Sequence, residues 1–136
     1  MMSYYVGQSG EYVKTITETD IYSFAELCGD YNPVHVDKEF AEKSFFGKQV
    51  SHGILILSLC STVIGTIMPG NGTIYLSQNS KFLKPVYIGD TVKAVITIAS
   101  LEDNNRAILK TEVFNQYNEV VIAGEAKVIL PVKEGE

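Results

Sequence analysis

The sequence predicts an α+β fold in which an antiparallel β-sheet wraps around one long central helix. Three observations carry that prediction. The run Gly53 to Met68 sets Ile54, Leu55, Ile56, Leu57, Leu59, Cys60, Val63, Ile64, Ile67 and Met68 around its whole circumference, so it reads as a helix without a solvent face that has to be enclosed. Beyond the breaker Pro69-Gly70-Asn71-Gly72, the chain is rich in β-formers over Thr73 to Leu83, Thr91 to Leu101, Ala107 to Tyr117 and Val120 to Leu130. The turns between these segments are short, which favours antiparallel neighbours.

The elements follow in order. Tyr12 to Thr17 alternates and reads as the first strand. It hands over at Thr19 or Asp20, either of which can cap a helix carrying Ile21, Phe24, Ala25, Leu27 and Cys28, with Gly29 as a left-handed stop. Asp30 then lies just past the helix end. Asn32-Pro33 enforces a turn, because proline removes a donor and turns the preceding residue away from helix. A second short helix is expected over Val36 to Phe46, with Asp37 as N-cap, Phe40, Ala41 and Phe45 as apolar contacts, and Gly47 closing it.

Length and composition bound the function. At 136 residues with 46% hydrophobic content, the chain fills one core, so residues 1–136 form a single domain. A net charge of −5, one arginine (Arg106) and scattered lysines exclude the concentrated basic footprint of a nucleic-acid surface. Cys28 and Cys60 lack metal-type spacing and make no disulfide framework, which fits a reducing cytoplasm. Met1 to Gly10 has no signal-peptide pattern, and Gly53 to Met68, interrupted by Ser58, Ser61, Thr62 and Thr66, falls short of the ~20 residues a membrane helix needs.

The chain has two histidines, His35 and His52, and both lie beside the groups a proton-transfer site needs. Hydration of a double bond conjugated to a carbonyl requires a base for the water, an acid for the α-carbon and donors for the enolate oxygen. Asp30 and His35 are the acid–base candidates, brought together by the Asn32-Pro33 turn, with Asn32 able to orient either. Gly53 supplies a backbone N–H at a helix start, unpaired and at the positive end of the dipole, with no side chain to obstruct a thioester carbonyl.

Blander roles compete at each position. Asp-Tyr-Asn-Pro by itself is a common turn, and His35 is what tips the balance towards chemistry. His52 reads as a helix-entry residue whose ring satisfies a backbone carbonyl. Asp30, Asn32, His35 and Asp37 do not make a calcium loop, since His35 and Ala41 stand where glycine and glutamate are required, and no metal is expected. Cys60, within an apolar helix, is a packing residue.

The stretch Gly29-Asp30-Tyr31-Asn32-Pro33-Val34-His35-Val36-Asp37, then Ala41 and Phe45 or Phe46, then His52-Gly53-Ile54-Leu55, resembles the MaoC-like, R-specific enoyl-CoA hydratases. The resemblance covers nearly the whole chain, with Ser51 as a mild departure where an apolar residue is frequent. It implies a hot-dog fold, normally a dimer or a higher homo-oligomer with sites near the subunit interface, and reversible syn addition of water to a trans-2-enoyl thioester of coenzyme A or a carrier protein. No cofactor is implied beyond the coenzyme A of the substrate. The resemblance assigns Asp30 and His35 to the water and the Gly53 N–H to the thioester oxygen, and it makes Ser61 a pocket residue. Lys48, Lys81 and Lys84 are the nearest basic groups for coenzyme A phosphates. Polyester synthesis, fatty-acid degradation and fatty-acid synthesis all remain open as pathways. The alternatives on this fold are an acyl-CoA thioesterase, disfavoured because Gly53 to Met68 holds no Asp or Glu, and a non-catalytic acyl-CoA-binding subunit.

Overall fold

Thr17 starts the first helix, ahead of the expected Thr19 or Asp20. In the computed structural model, which describes residues 3–132, α1 spans Glu18–Cys28. The earlier start has a local cause: Asp20 N–H donates to the Thr17 hydroxyl at 3.1 Å, and Thr17 N–H donates to the Asp20 carboxylate at 2.9 Å. That reciprocal pair satisfies two otherwise unpaired donors. Gly29 ends α1 at φ 83°, its N–H bonded to the Ala25 carbonyl, as the sequence suggested.

Of the helix expected over Val36 to Phe46, α3 (Lys38–Glu42) forms with Asp37 as its N-cap as expected, and a further short helix, α2 (Pro33–Val36), occupies the stretch expected as a turn. Asp37 divides them, because it is extended at φ −125°, ψ 105° and caps α3 by accepting from Phe40 N–H at 3.1 Å. Residues beyond Glu42 run through turns to Gly47, at φ 74°. The central helix α4 spans Gly53–Thr66. Among the described residues no helix is long and apolar enough to cross a membrane.

The strands are β1 (Ser9–Thr15), β2 (Ile74–Phe82), β3 (Thr91–Glu102), β4 (Arg106–Phe114) and β5 (Val120–Ile129), in one antiparallel sheet of order β1-β3-β4-β5-β2. The expectation of sequential neighbours holds for the β3-β4-β5 meander. It fails for β2, which pairs with β5 at one edge of the sheet. The segment between β2 and β3 holds Pro85 and is engaged elsewhere, with Ser51 N–H donating to the Val86 carbonyl at 2.7 Å and Val50 bridging Tyr87.

Alternation along β3 buries Val92, Ala94, Ile96 and Ile98 on one face, against Ile56, Leu59, Cys60, Val63 and Ile64 of α4. One chain does not enclose α4, contrary to the sequence expectation: Ile54 is 58% and Ile67 46% exposed. A sheet of this size covers one side of the helix, and the opposite side stays bare.

Gly124 on β5 sits where a Cβ would fall on the Asn79 carbonyl oxygen of β2. Gly124→Ala should therefore pry β2 from β5 and destabilise the fold by about 1–3 kcal/mol, as overpacking does. Urea unfolding measures it, and an unchanged midpoint would contradict so close a backbone approach.

Candidate active site

The Asn32-Pro33 turn is built by side chains on main chain. Asn32 N–H donates to the Asp30 carboxylate at 3.2 Å, while Val34 N–H donates to the Asn32 side-chain oxygen at 3.2 Å, making Asn32 the N-cap of α2. Pro33 occupies the first helical position, where its missing donor is not needed. His35 follows within the same turn of helix. Its Nδ1–H donates to the Val50 carbonyl at 2.7 Å, which leaves Nε2 with a lone pair.

His52 is the N-cap of α4 and only 2% exposed. Its Nε2–H donates to the main-chain carbonyl of Asp30 at 2.9 Å, the role expected for a helix-entry ring. The ring also stacks on His35, with centroids 3.9 Å apart and planes 29° apart, and meets the edge of Phe24 at 4.9 Å. Asp30, His35 and His52 each bring one polar atom within 4.8 Å of the others. Stacking keeps the two ring lone pairs in nearly parallel planes, a geometry suited to separate hydrogen bonds rather than to convergence on one ion.

Burial pushes the His35 pKa below the 6.5 of a free imidazole, and the His52 ring adds to that; the Val50 carbonyl and Asp30 act in the opposite direction. The balance favours a neutral ring at neutral pH. Asp30 itself is exposed.

His35 opens onto a cavity of about 500 Å³, shared with Asn32 and Gly53 and walled by apolar side chains including Val34, Ile54, Ile56, Phe82, Val86 and Ile122. Gly53 is the first residue of α4, and its N–H makes no hydrogen bond among the described residues. The space above its Cα is filled from within the chain: a Cβ there would lie 2.7 Å from ring carbons of Phe82. Sequence reasoning missed Phe82, because nothing local to β2 says that its ring reaches the start of α4.

The structure thus gathers Asp30, Asn32, His35 and Gly53. It leaves Ser61 apart, exposed on α4 and outside the cavity lining. Of the lysines, Lys84 lines the cavity and pairs with Glu119, Lys48 lies over the Tyr87 ring at 4.3 Å, and Lys81 is exposed on β2. Cys60 is fully buried and its thiol is pushed up to about 12, which leaves it inert.

A depressed His35 pKa has a sign. Between the folded value and 6.5 the unfolded chain binds the extra proton, so stability is full above about pH 6.5 and falls as pH drops through the folded value. Urea unfolding at pH 7.0 and 5.5 should show that loss, and His35→Gln should reduce it. An identical pH dependence in both proteins would refute the assignment.

Known proteins resemble this chain over most of its length. The family model described as the MaoC like domain matches residues 7–121. The chain is 42% identical over 127 residues, 93% of its own length and 88% of the relative's, to the (R)-specific enoyl-CoA hydratase of Rhodospirillum rubrum. Among solved structures, the R-hydratase PhaJ1 of Pseudomonas aeruginosa in its unliganded form superposes with a TM-score of 0.91 at 39% identity, covering 98% of this chain and 89% of that one. The (R)-hydratase of A. caviae involved in PHA biosynthesis gives 0.92 at 37% identity, covering 96% of this chain and 100% of that one.

Proposed function

Because the chain belongs to the MaoC-like domain family, we propose that it is an R-specific enoyl-CoA hydratase, a hydro-lyase that reversibly adds water to a trans-2-enoyl-CoA to give the (R)-3-hydroxyacyl-CoA. The observation that carries this reading is that His35 and the free backbone donor of Gly53 line one largely apolar cavity, with the Asp30 carboxylate within 4.8 Å of the His35 ring nitrogen.

In the proposed mechanism, Asp30 and the bare Nε2 of His35 grip the two protons of one water. The water oxygen attacks C3 as one proton passes to this pair, and the pair returns a proton to C2 on the same face, so the acid–base groups end unchanged. Charge gathers meanwhile on the thioester oxygen. The Gly53 N–H donates to that oxygen, aided by the positive end of α4. Asn32 acts as the positioning residue, holding the Asp30 carboxylate through its N–H. The acyl tail occupies the apolar walls, with Ser61 in a secondary positioning role towards a neighbouring copy.

That copy is a second identical chain. Ile54 and Leu83 are exposed at the cavity mouth, and the edge strand β2 exposes Ile74, Tyr75, Leu76 and Phe82, so a homodimer covers these apolar side chains. A thioesterase reading is weaker, since α4 carries no carboxylate and the Cys60 thiol is inert. Hydratase activity removes the conjugated enoyl-thioester absorbance without releasing thiol.

Asp30→Ala and His35→Ala should each lower kcat by about 10²–10⁴-fold, the usual contribution of general acid–base groups. Full activity in both variants, or free thiol from the wild type, would sink the reading. The Gly53 donor is separable from its lack of a side chain. Proline is tolerated at the first helical position, and His52 already has the extended φ −57°, ψ 132° that precedes proline. Gly53→Ala and Gly53→Pro both crowd Phe82, but only the latter lacks the N–H. The proline variant should turn over about 10²–10³-fold more slowly than the alanine variant. Equal rates would remove Gly53 from the mechanism.

A further inference from the structure

We propose that His52 is a positioning residue for the hydration, holding Asp30 through its main-chain carbonyl and His35 through its ring, so that one side chain sets the spacing of the acid–base pair. This inference rests on the hydratase reading and adds to it a residue that never touches substrate, since His52 is buried and absent from the cavity lining.

A histidine is costly at this place. His52 Nδ1 is buried with no hydrogen-bond partner among the described residues. Buried polar atoms are ordinarily satisfied, so an orphaned one calls for a reason. Packing alone does not supply it, because phenylalanine would fill the space beside Phe24 without an orphaned nitrogen. A single hydrogen bond does not supply it either, because glutamine reaches a carbonyl equally well. Histidine alone combines a flat ring against His35, 3.9 Å away, with a donor 2.9 Å from the Asp30 carbonyl.

The two contacts bear on different partners. The Nε2–H bond fixes the main chain at the residue that carries the carboxylate. The stack fixes the plane of the imidazole whose Nδ1–H is already held by Val50, so His35 Nε2 has one direction left. The two rings consequently hold opposite tautomers, Nδ1–H in His35 and Nε2–H in His52. The ionisable groups facing His35 are His52 from the start of α4, Asp30 from the loop before α2, and Lys84 from the loop after β2, which lines the same cavity. Of these, His52 works against protonation of His35 and Asp30 works for it.

Two substitutions divide the roles. His52→Gln keeps a donor and removes the ring, while His52→Phe keeps a ring and removes the donor. Each should lower kcat by about 100-fold with KM little changed, the scale of a small misplacement of reacting groups. The acid limb of the kcat/KM profile should move up in His52→Gln and much less in His52→Phe, which still shields His35 from water. Imidazole NMR reads the same effect without substrate, since the wild type has two histidines and either variant leaves His35 alone. The His35 titration should rise in His52→Gln, and wild-type nitrogen shifts should show the two opposite tautomers. Circular dichroism and urea unfolding identify a variant that has lost its fold, and the wild-type tautomers then serve as the test. Wild-type kcat with an unmoved His35 titration in His52→Gln, or two rings of the same tautomer, would overturn the inference. An inactive wild type with the expected NMR behaviour would instead count against the hydratase reading alone.

Discussion

Burial of one side of α4 against the sheet is the interaction on which everything else in this molecule depends. Ile56, Leu59, Cys60, Val63 and Ile64 lie under the inward residues of β3, β4 and β5, and each large apolar side chain so buried contributes about 1.5–3 kcal/mol by transfer from water. That packing locks the helix in position and rotation, and with it the first turn. A free N–H at Gly53 is useful to chemistry only if it stays aimed, and the core residues one turn further on keep it so. The same burial leaves the opposite side uncovered, where Ile54 is exposed along with Ser58, Ser61 and Thr66.

The polar site is laid across the beginning of this fixed helix. Val50 N–H donates to the Val34 carbonyl, and Ser51 N–H donates to the Val86 carbonyl, so the approach to α4 is stitched to both α2 and the segment before β3. His35 and His52 then attach side chains to main-chain acceptors on that stitched frame. Half-burial holds the His35 ring neutral where a proton acceptor is needed, whereas Asp30 lies open to solvent beside it.

Much of this was legible in the residues. The apolar circumference of Gly53 to Met68 and the turn chemistry between strands give the architecture, because both are local patterns with one dominant solution. Strand order was not legible for β2: it pairs with β5, and the segment after it is held by Ser51 through Val86, both contacts between distant parts of the chain. The short helix expected over Val36 to Phe46 forms only as α3, capped by Asp37 as expected and ending at Glu42, where the chain turns towards Gly47. At the site, Asp30, Asn32, His35 and Gly53 could be named from spacing, while Phe82 could not, since its ring comes to Gly53 only through the fold. Ser61 was placed by likeness alone, and within one chain it faces outward.

The division of the motif into two separated stretches has a physical reason. A single turn, Asp30 to His35, can bring a carboxylate and an imidazole near each other, but it cannot choose which imidazole nitrogen keeps its proton. That choice requires an acceptor on the far side of the ring, and Val50 provides it from the second stretch. The same stretch brings the donor that restrains Asp30 and the free N–H of the helix start. Because the acceptors used are main-chain carbonyls, the tautomers depend on the path of the backbone more than on the identity of residue 50. The path in turn depends on the buried helix, so the protonation state of a half-exposed ring is ultimately set by apolar packing one turn away.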